Sequence, residues 1–355
     1  MSETILITGG CGFAGSNLAI SLKRDFPSHR IIAFDNLKRR GSELNIPRLA
    51  EAGIQFVHGD IRNKSDLNQV GPIGVLIEAA AEPSVLSGIN SSPDYVIDTN
   101  LTGTLNCLEY AARYQAKFIF LSTSRVYPIP DLCKIRYTQG ETRFHIADNQ
   151  EMPGISPKGI AEHFPMDGPR SFYGASKFSS ELFIREYIEF YNLKAVINRC
   201  GVLTGPWQMG KVDQGVVVLW LARHYFQGEL SYIGYGGTGH QVRDILHIQD
   251  LYRLLKLQLE QFDLFSGQTF NVGGGEKVSV SLFELTALCQ KITGNSIPIH
   301  PVAETRSADI PVYITDNSKI QQVCGWQPEI SAESILQDIL NWIKAHESQV
   351  KKLLS

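Results

Sequence analysis

Two side chains that can carry proton-transfer chemistry lie four residues apart in the segment 171–177. Tyr173 and Lys177 share one face if this segment is helical, because positions i and i+4 are neighbours on a helix surface. A free phenol has a pKa of about 10, which is too high for a base near neutral pH. A neighbouring ammonium favours the phenolate and lowers that pKa, so the pair can act as a general base. The same spacing also occurs at ordinary starts of amphipathic helices, so other motifs are needed to distinguish a catalytic pair from such a helix.

A run of hydroxyl side chains follows an apolar segment that we predict to be a strand. Ser122, Thr123 and Ser124 come directly after Lys117–Leu121. Open α/β sheets bind ligands at the carboxyl ends of their strands, so a hydroxyl there can bond a substrate oxygen that loses its proton. The alternative is a polar exit from the strand without a chemical role.

Three glycines near the N-terminus have the spacing of a phosphate-binding turn. Gly9, Gly12 and Gly15 follow the apolar run Thr4–Thr8 and open a predicted helix. Such glycines permit a tight turn, close approach of backbone amides to a pyrophosphate, and close packing of helix on strand. The helix N-terminus then faces the phosphates with its partial positive charge. A purely structural glycine turn would look the same, so the acidic residue expected further along the chain distinguishes the two.

That acidic residue is present. Asp35 ends the second predicted strand, twenty residues after Gly15, where a carboxylate can accept hydrogen bonds from the ribose of adenosine. Asp60 and Ile61 end the third predicted strand, a position suited to an adenine contact. Asp35 also favours NAD over NADP because it would repel a 2′-phosphate, although the basic run 38–40 weakens that preference. These residues together predict a dinucleotide site.

The scaffold for these motifs follows from the alternation of short apolar runs with longer amphipathic ones. Such alternation is typical of a parallel sheet with helices on both faces. The predicted strands are Thr4–Thr8, Arg30–Phe34, Ile54–His58, Val75–Glu78, Lys117–Leu121, Ala195–Arg199 and Phe270–Val272. The predicted helices include Ser16–Asp25, Lys64–Val70 and Thr99–Tyr114. The fold class is therefore α/β, a Rossmann-type doubly wound parallel sheet with a smaller C-terminal α/β substrate lobe.

We predict two domains with a discontinuous boundary. The alternation weakens near residue 204, where glycine, proline and other loop residues increase. A loop as long as Pro128–Arg170 is usually functional or disordered when it lies inside a compact domain. The predicted NAD-binding domain is 1–203, to which 244–275 and the terminal helix Ser331–Ala345 return, and the predicted substrate-binding lobe is 204–243 and 276–330.

The composition excludes several classes of protein. The 355 residues carry 33 Lys and Arg against 36 Asp and Glu, and this net charge of -3 does not indicate binding to nucleic acid or to an anionic membrane. Six scattered cysteines without a C-x-x-C pair do not indicate a metal site or a disulfide framework. The longest apolar run, Val216–Ala222, is too short to span a bilayer, and no signal-peptide pattern is present. We expect a reduced, cytoplasmic protein without a metal.

Taken together, these motifs resemble the extended short-chain dehydrogenase/reductase superfamily that acts on nucleotide-sugars. The similarity covers essentially the whole chain. Its motifs are Thr8–Gly15, Asp35–Asn36, Asp60, Ser122–Tyr127, Tyr173–Lys177, the V-R-D-x-x-H-x-x-D-L segment Val242–Leu251, the F-N-x-G-x-G strand Phe270–Gly275 and the turn Arg306–Asp309, which is similar to R-x-G-D.

The resemblance implies roles for individual residues. Thr123, Tyr173 and Lys177 would be catalytic, and a sugar carbon would be oxidised transiently to a ketone before the hydride returns to its other face. A homodimer with a face formed by Thr99–Tyr114 and Tyr173–Tyr191 is also implied. NAD would be bound by Gly9, Gly12, Phe13, Ala14, Gly15, Asp35, Asn36, Asp60, Ile61, Ala79, Ala80, Asn100, Tyr173 and Lys177. The nucleotide-diphosphate sugar would be bound by Ser84, Thr123, Ser124, Arg243 and Arg306.

Shorter similarities favour the branch of this family that epimerises C2 of a CDP-hexose of the CDP-paratose/CDP-tyvelose type. These segments are Asp35–Arg40, His58–Asn63, Glu141–Arg143, Asp213–Gly215 and Gln241–His247. The alternatives are a UDP-sugar 4-epimerase, a net NAD-dependent nucleotide-sugar dehydrogenase or reductase, and a non-catalytic NAD-binding protein, since the fold alone does not choose among them. Nucleotide-sugar 4,6-dehydratases carry an Asp-Glu pair after the threonine. This chain has Ser124 and Arg125 there, which argues against dehydration.

Overall fold

The computed structural model describes residues 3–89, 91–210 and 214–354, so Asp213 of the similarity Asp213–Gly215 lies outside the described residues. The strands are β1 Thr4–Thr8, β2 Arg30–Asp35, β3 Gln55–His58, β4 Val75–Glu78, β5 Lys117–Thr123, β6 Tyr137–Gln139, β7 Phe144–Ile146, β8 Ile155–Ser156, β9 Gly159–Ile160, β10 Ala195–Cys200, β11 Val202–Thr204, β12 Leu230–Ile233, β13 Val242–His247, β14 Thr269–Val272, β15 Ser279–Ser281, β16 Ile299–Val302 and β17 Val312–Tyr313. The helices are α1 Phe13–Asp25, α2 Asn45–Glu51, α3 Lys64–Asn68, α4 Asp94–Ile97, α5 Gly103–Arg113, α6 Ile129–Cys133, α7 Ser171–Tyr191, α8 Val216–Tyr225, α9 Ile248–Glu260, α10 Phe262–Phe265, α11 Leu282–Thr293, α12 Ser318–Cys324, α13 Ala332–Ala345 and α14 Glu347–Leu354.

The main sheet has the strand order β14-β10-β5-β4-β1-β2-β3. Strands β1 to β5 pair in parallel, and the order reverses between β1 and β4. Such a reversal is the topological switch point at which doubly wound sheets bind their ligands, outside the carboxyl ends of the strands. The predicted fold class, an α/β protein with a Rossmann-type sheet, is confirmed.

One face of this sheet determines where the helices α5 and α7 lie. Alternate residues of a strand point to the same face, and on this face they form a buried apolar layer. Its strand members include Leu6, Ile32, Phe34, Leu76, Phe118 and Phe120. Leu108 of α5 and Ile184 of α7 belong to the same cluster. Both helices are therefore packed on this face of the sheet.

Two compact units share the described residues, and each is built from three segments. The first unit takes its residues from Met1–Val126, Ser171–Arg199 and Leu251–Phe270. The second takes them from Tyr127–Arg170, Cys200–Asp250 and Asn271–Ser355. The segment Pro128–Arg170 and the terminal helix α13 therefore group with the second unit, whereas the sequence-based division assigned them to the first.

Short sheets organise the second unit. In one of them β13 pairs in parallel with β11 and β17 and antiparallel with β15. The segment Pro128–Arg170, expected to be an irregular loop, contains α6, the hairpin β6–β7 and the hairpin β8–β9. Long-range bonds hold this segment in place. The hydroxyl of Tyr127 donates to Oδ1 of Asn271 at 2.7 Å, and the backbone amide of Asn271 donates to the Glu162 carboxylate at 2.8 Å.

Some helices differ from their predicted bounds. The predicted helix Thr99–Tyr114 consists of a π-helical turn, Asp98–Thr102, followed by α5. The wider turn accommodates one extra residue at the point where the side chain of Asn100 bonds the segment after β4. Helix α1 begins three residues earlier than predicted. Among the described residues, no helix combines the length and apolar character that a membrane span requires.

Candidate active site

The glycine turn between β1 and α1 has no space for a Cβ at Gly9 or Gly15. Gly9 has φ +65°, and a Cβ there would lie 2.8 Å from the backbone of Ala80. A Cβ on Gly15 would lie 2.2 Å from the carbonyl oxygen of Gly9, and the amide of Gly12 donates to the same oxygen at 2.9 Å. The structure thus brings the predicted glycines together with the end of β4. Because Gly12 caps α1 without a side-chain hydrogen bond, the first amides of the helix remain available for a phosphate.

Asp35 lies directly beside this turn at the end of β2. Its carboxylate accepts hydrogen bonds from the amides of Cys11 at 3.0 Å and Leu37 at 2.7 Å. Burial raises the pKa of Asp35, and these amide bonds act in the opposite direction. The carboxylate is therefore held at one position next to the turn, as the predicted contact with an adenosine ribose would require.

A second polar group forms at the end of β3. The amide of Asn36 donates to Asp60 at 2.9 Å, and the Arg62 guanidinium forms an ion pair with the same carboxylate at 2.6 Å. Burial raises the pKa of Asp60, but the bonds from Arg62 and Asn36 outweigh that effect and lower it to about 2. Ile61 is buried, and its carbonyl accepts from Asn106 of α5 at 2.9 Å. The three predicted residues Asn36, Asp60 and Ile61 are thus adjacent.

The predicted catalytic residues all lie in the first unit, at the end of β5 and the beginning of α7. Thr123 is buried as the last residue of β5, and Tyr173 is half-buried in the first turn of α7. Lys177, one turn later, is only 1% exposed, and its Nζ lies 3.9 Å from the ring centroid of Phe120 on β5. A buried ammonium next to the helix start is what the proposed activation of a tyrosine needs.

Buried polar bonds fix α7 against the sheet. Arg199 of β10 forms an ion pair with Glu181 at 2.7 Å, and both side chains are almost fully buried. The hydroxyl of Ser122 donates to the same carboxylate at 2.6 Å. Because Lys177 and Glu181 are one helical turn apart, this clamp sets the position of Lys177 as well.

The π-helical turn provides a further connection to the same helix. Oδ1 of Asn100 accepts a hydrogen bond from the backbone amide of Glu82. The side-chain amide of Asn100 donates to the backbone carbonyl of Glu82 and to the hydroxyl of Ser176. The hydroxyl of Ser180 donates to the carbonyl of Asn100 at 2.9 Å. The amide of Ser84 donates to the Glu82 side chain at 3.1 Å. Asn100 therefore joins the segment after β4, which carries Ser84, to α7.

Glu78 is a buried acid that the sequence-based assignment missed. It is the last residue of β4, is fully buried, and lies 2.5 Å from the hydroxyl of Thr104 on α5. Its second oxygen has no hydrogen-bond partner among the described residues. Burial raises its pKa to about 7, although Lys177 and Thr104 act in the opposite direction. A charged residue closing the apolar run 75–77 is the signal that could have identified it.

The second unit contains the two arginines predicted to bind the diphosphate. Arg243 on β13 donates at 2.7 Å to Asp309, to the carbonyl of Ile310 and to the carbonyl of Val242. Arg306 is exposed, and its carbonyl accepts from the amide of Asp309 at 3.1 Å. Arg243 therefore contacts Asp309 through its guanidinium, and Arg306 contacts it through its backbone carbonyl. Ala308 has φ +75° where the family motif has glycine, so this turn keeps the left-handed conformation without it.

Comparisons with known proteins identify the family. The sequence matches the family model described as "NAD dependent epimerase/dehydratase family" over residues 5–273. The chain belongs to this family. It is an NAD-dependent enzyme of the nucleotide-sugar epimerase and dehydratase group, and the predicted family resemblance and cofactor are confirmed.

Individual relatives extend over nearly the whole chain. A CDP-paratose 2-epimerase of Salmonella typhi is 32% identical over 353 residues, which cover 95% of this chain and 98% of the relative. A putative UDP-glucose 4-epimerase of Methanocaldococcus jannaschii is 29% identical, with 96% and 98% covered. The structure of the Thermus thermophilus UDP-glucose 4-epimerase in complex with NAD has a TM-score of 0.76 at 25% identity and covers 96% of this chain and 99% of its own.

Replacing Glu78 with glutamine should change how stability depends on pH. The pKa of Glu78 is raised from 4.5 to about 7 in the folded protein, so the stability it contributes is complete below about pH 4.5 and is lost as the pH rises through 7. At about 1.4 kcal/mol per pKa unit, the loss is on the order of 3 kcal/mol. Glutamine does not ionise and avoids this loss. The unfolding free energy of Glu78→Gln, measured in urea, should therefore increase relative to that of the unmodified protein between about pH 5 and pH 8.

The exposed Glu109 provides the matched control, since it forms an ion pair with Lys64 in solvent. Glu109→Gln should show no comparable trend. A difference between Glu78→Gln and the unmodified protein that stays constant over this pH range would contradict the assignment.

Proposed function

We propose that this enzyme is an epimerase that inverts C2 of a CDP-hexose of the CDP-paratose/CDP-tyvelose type. The observation that carries the proposal is the buried Lys177 ammonium one turn from Tyr173, with Thr123 at the end of the strand against which α7 packs. The choice of C2 and of CDP is supported by the relative that acts as a CDP-paratose 2-epimerase. The UDP-sugar 4-epimerase is the second candidate, because relatives of that description match over a similar length.

The proposed chemistry is a proton transfer at one sugar hydroxyl. NAD⁺, when bound, supplies the hydride acceptor and then the hydride donor. Tyr173 takes the hydroxyl proton through its phenolate oxygen and later returns it, and the Lys177 ammonium stabilises that phenolate. The Thr123 hydroxyl bonds the same sugar oxygen and orients it.

The residues that would bind NAD fit the cofactor by their shape and charge. The turn at Gly9 and Gly15 excludes any Cβ, so backbone amides can approach a pyrophosphate, and the fixed Asp35 carboxylate suits the ribose. We assign cofactor contacts to Gly9, Gly12, Phe13, Ala14, Gly15, Asp35, Asn36, Asp60, Ile61, Ala79, Ala80, Asn100, Tyr173 and Lys177.

The substrate contacts are proposed separately for each unit. In the first unit, Ser84, Thr123 and Ser124 would bond the sugar, and all three are largely buried. Thr123 ends β5, Ser124 follows it directly, and Ser84 lies in the segment after β4. In the second unit, Arg243 and Arg306 would bind the diphosphate, for which planar guanidinium groups are well suited. Ser124 and Arg125 stand where dehydratases carry their Asp-Glu pair, and this supports epimerisation over elimination of water.

Deuterium tracing tests the reaction and its carbon. CDP-paratose labelled at C2 should be converted to the C2 epimer with a slowed rate and with retained label, because the same hydride leaves and returns. Label at C4 should have no effect on the rate. The products are analysed by mass spectrometry and NMR, with UDP-glucose as the parallel substrate.

Inversion of UDP-glucose at C4 without any reaction of the CDP-sugar would replace this proposal with the second candidate. Accumulation of NADH in proportion to product would instead indicate a net dehydrogenase.

We also propose that the enzyme is a homodimer. Phe183 and Phe190 follow Phe172 by 11 and 18 residues, which are close to whole numbers of helical turns, so the three rings lie on one side of α7. Phe172, Phe183 and Phe190 are 41%, 42% and 73% exposed. Three aromatic rings on the exposed side of α7 form an apolar stripe that a second copy of the chain would cover.

A single charge in this stripe should prevent dimerisation. Phe183→Glu would bury an unpaired carboxylate in the interface, so sedimentation velocity should give the monomer mass. Arg185→Glu changes an exposed residue on a different side of α7, and this control should remain dimeric. A monomeric unmodified protein, or a dimeric Phe183→Glu variant, would contradict the proposed interface.

The cysteines support a cytoplasmic location, which we propose as well. All six are outside disulfides. Cysteines that are not cross-linked are typical of proteins in reducing compartments.

A further inference from the structure

The carboxyl group of Glu78 and the hydroxyl of Thr104 share a hydrogen bond whose proton can be assigned from the geometry. Oε1 of Glu78 lies 2.5 Å from Oγ1 of Thr104. The same Oγ1 lies 2.7 Å from the backbone carbonyl oxygen of Asn100. A carbonyl oxygen only accepts and a hydroxyl carries one proton, so Thr104 satisfies both contacts only by donating to Asn100 and accepting from Glu78. This arrangement requires a protonated carboxyl group at Glu78.

The second carboxyl oxygen of Glu78 leads to the same conclusion. Glu78 is fully buried, and its Oε2 has no hydrogen-bond partner among the described residues. A carboxylate spreads its charge over both oxygens, so an ionised Glu78 would leave a buried charged oxygen without a donor. A carboxylic acid leaves only a neutral carbonyl oxygen unsatisfied, which costs less. The pKa of Glu78, raised to about 7 by burial, agrees with a retained proton.

Four elements pack around Glu78, and one of them brings a charge. The register partners of Glu78 on the neighbouring strands are Thr8 of β1 and Phe120 of β5, which do not ionise near neutral pH. Helix α5 contributes Cys107, and burial followed by the effect of Glu78 raises the pKa of that thiol well above its usual range. Helix α7 contributes the Lys177 ammonium, which favours the ionised form of Glu78. The ammonium is therefore the charge to which the proton of Glu78 responds.

The ammonium of Lys177 has two neighbours on which its charge can act. Tyr173 lies one helical turn before it on α7, and Glu78 lies on the sheet beneath the helix. A neutral Glu78 does not compete with the Tyr173 phenolate for the positive charge, whereas an ionised Glu78 does. The next acid along α7, Glu181, is already bound by Arg199. The protonation state of Glu78 thus determines how strongly the lysine favours the phenolate.

Ionisation of Glu78 would also move the proton of Thr104. A carboxylate cannot donate, so the Thr104 hydroxyl would turn from the carbonyl of Asn100 towards Glu78. The same carbonyl accepts from Ser180 of α7, and the side chain of Asn100 donates to Ser176. Loss of the proton at Glu78 therefore reaches the π-helical turn that joins the segment after β4 to α7.

We propose that Glu78 is a positioning residue that must keep its proton for Lys177 to activate Tyr173. The neutral carboxyl group donates to Thr104 and leaves the charge of the ammonium to the phenolate. The ionised group takes up that charge and draws the Thr104 proton away from Asn100. The proton of Glu78 stays in place during turnover, so the balance of the reaction does not change. The proposal rests on the proposed function, because it assumes that Tyr173 is the base.

Infrared spectroscopy with saturating NAD tests the retained proton without any turnover. The C=O stretch of protonated carboxyl groups should contain a component that disappears near pH 7 and is absent from Glu78→Gln. In Lys177→Met, this component should persist to a pH about one unit higher or more, because the charge that favours the ionised form is gone. Glu109→Gln is the matched control and should retain the component, since Glu109 is a solvent-accessible acid paired with Lys64.

A Glu78→Gln spectrum equal to that of the unmodified enzyme would overturn the proposal. The unmodified enzyme and Lys177→Met provide the same test if Glu78→Gln does not fold, and an equal midpoint of the component in those two proteins would also overturn it.

The pH dependence of kcat with CDP-paratose measures the consequence for the reaction. Glutamine cannot ionise and keeps a donor for Thr104, so Glu78→Gln reproduces the neutral form at every pH. The ratio of kcat for Glu78→Gln to kcat for the unmodified enzyme should increase about three- to tenfold between about pH 6 and pH 8.5. The corresponding ratio for Glu109→Gln should stay constant. A purely structural role of Glu78 would give Glu78→Gln a constant ratio too, and that result would contradict the proposal.

The two readouts separate the role of Glu78 from the proposed reaction. An infrared component that depends on both Glu78 and Lys177 would support the retained proton even if no CDP-hexose is epimerised, in which case only the proposed reaction fails. Epimerisation by an enzyme whose infrared spectrum does not change in Glu78→Gln would leave the reaction intact and reject the role of Glu78.

Discussion

The ion pair between Arg199 and Glu181 is the constraint on which the proposed catalytic arrangement depends. Both side chains are within 3% of complete burial, and removing one partner of such a pair typically costs about 3–5 kcal/mol because the other charge is left without compensation. Glu181, Lys177 and Tyr173 follow one another at intervals of four residues on α7, so they lie along the same side of the helix. Fixing Glu181 to β10 and, through Ser122, to β5 therefore also determines where the lysine and the tyrosine lie.

The charges around Lys177 show how a buried ammonium is accommodated in an apolar layer. The ring of Phe120 lies beneath it, and Glu78 on the neighbouring strand contributes a carboxyl group whose proton is retained to unusually high pH. Phe120 and Glu78 are register partners in adjacent parallel strands, so they point to the same face of the sheet. An ammonium placed over an aromatic face and near an acid keeps its charge at lower cost than one in a purely aliphatic pocket. This environment supports the proposal that Tyr173, one turn away, acts as a base.

Local sequence patterns predicted the parts of the fold that local physics determines. The strands β1 and β4 have their predicted bounds, because short buried runs end where polar or glycine residues begin. The acidic residue that ends β2, Asp35, was likewise predicted from its spacing to the glycine turn. The hairpin β6–β7 was missed because its strands have three residues each, too few for a periodic pattern, and its anchor joins Arg143 to Glu284, 141 residues away. The roles of Glu78 and Arg199 were missed for a similar reason, because they depend on contacts with α5 and α7 and not on sequence neighbours.

The most direct test of the account is the rate of epimer formation by the NAD-loaded enzyme with Tyr173 replaced by phenylalanine. Loss of a positioned general base should lower kcat by about 10²- to 10⁴-fold, while the bound NAD content and the free energy of unfolding remain those of the unmodified protein. The variant Tyr191→Phe changes an exposed tyrosine of the same helix and should retain full activity. A Tyr173→Phe enzyme that forms the epimer at the rate of the Tyr191→Phe enzyme would contradict the account.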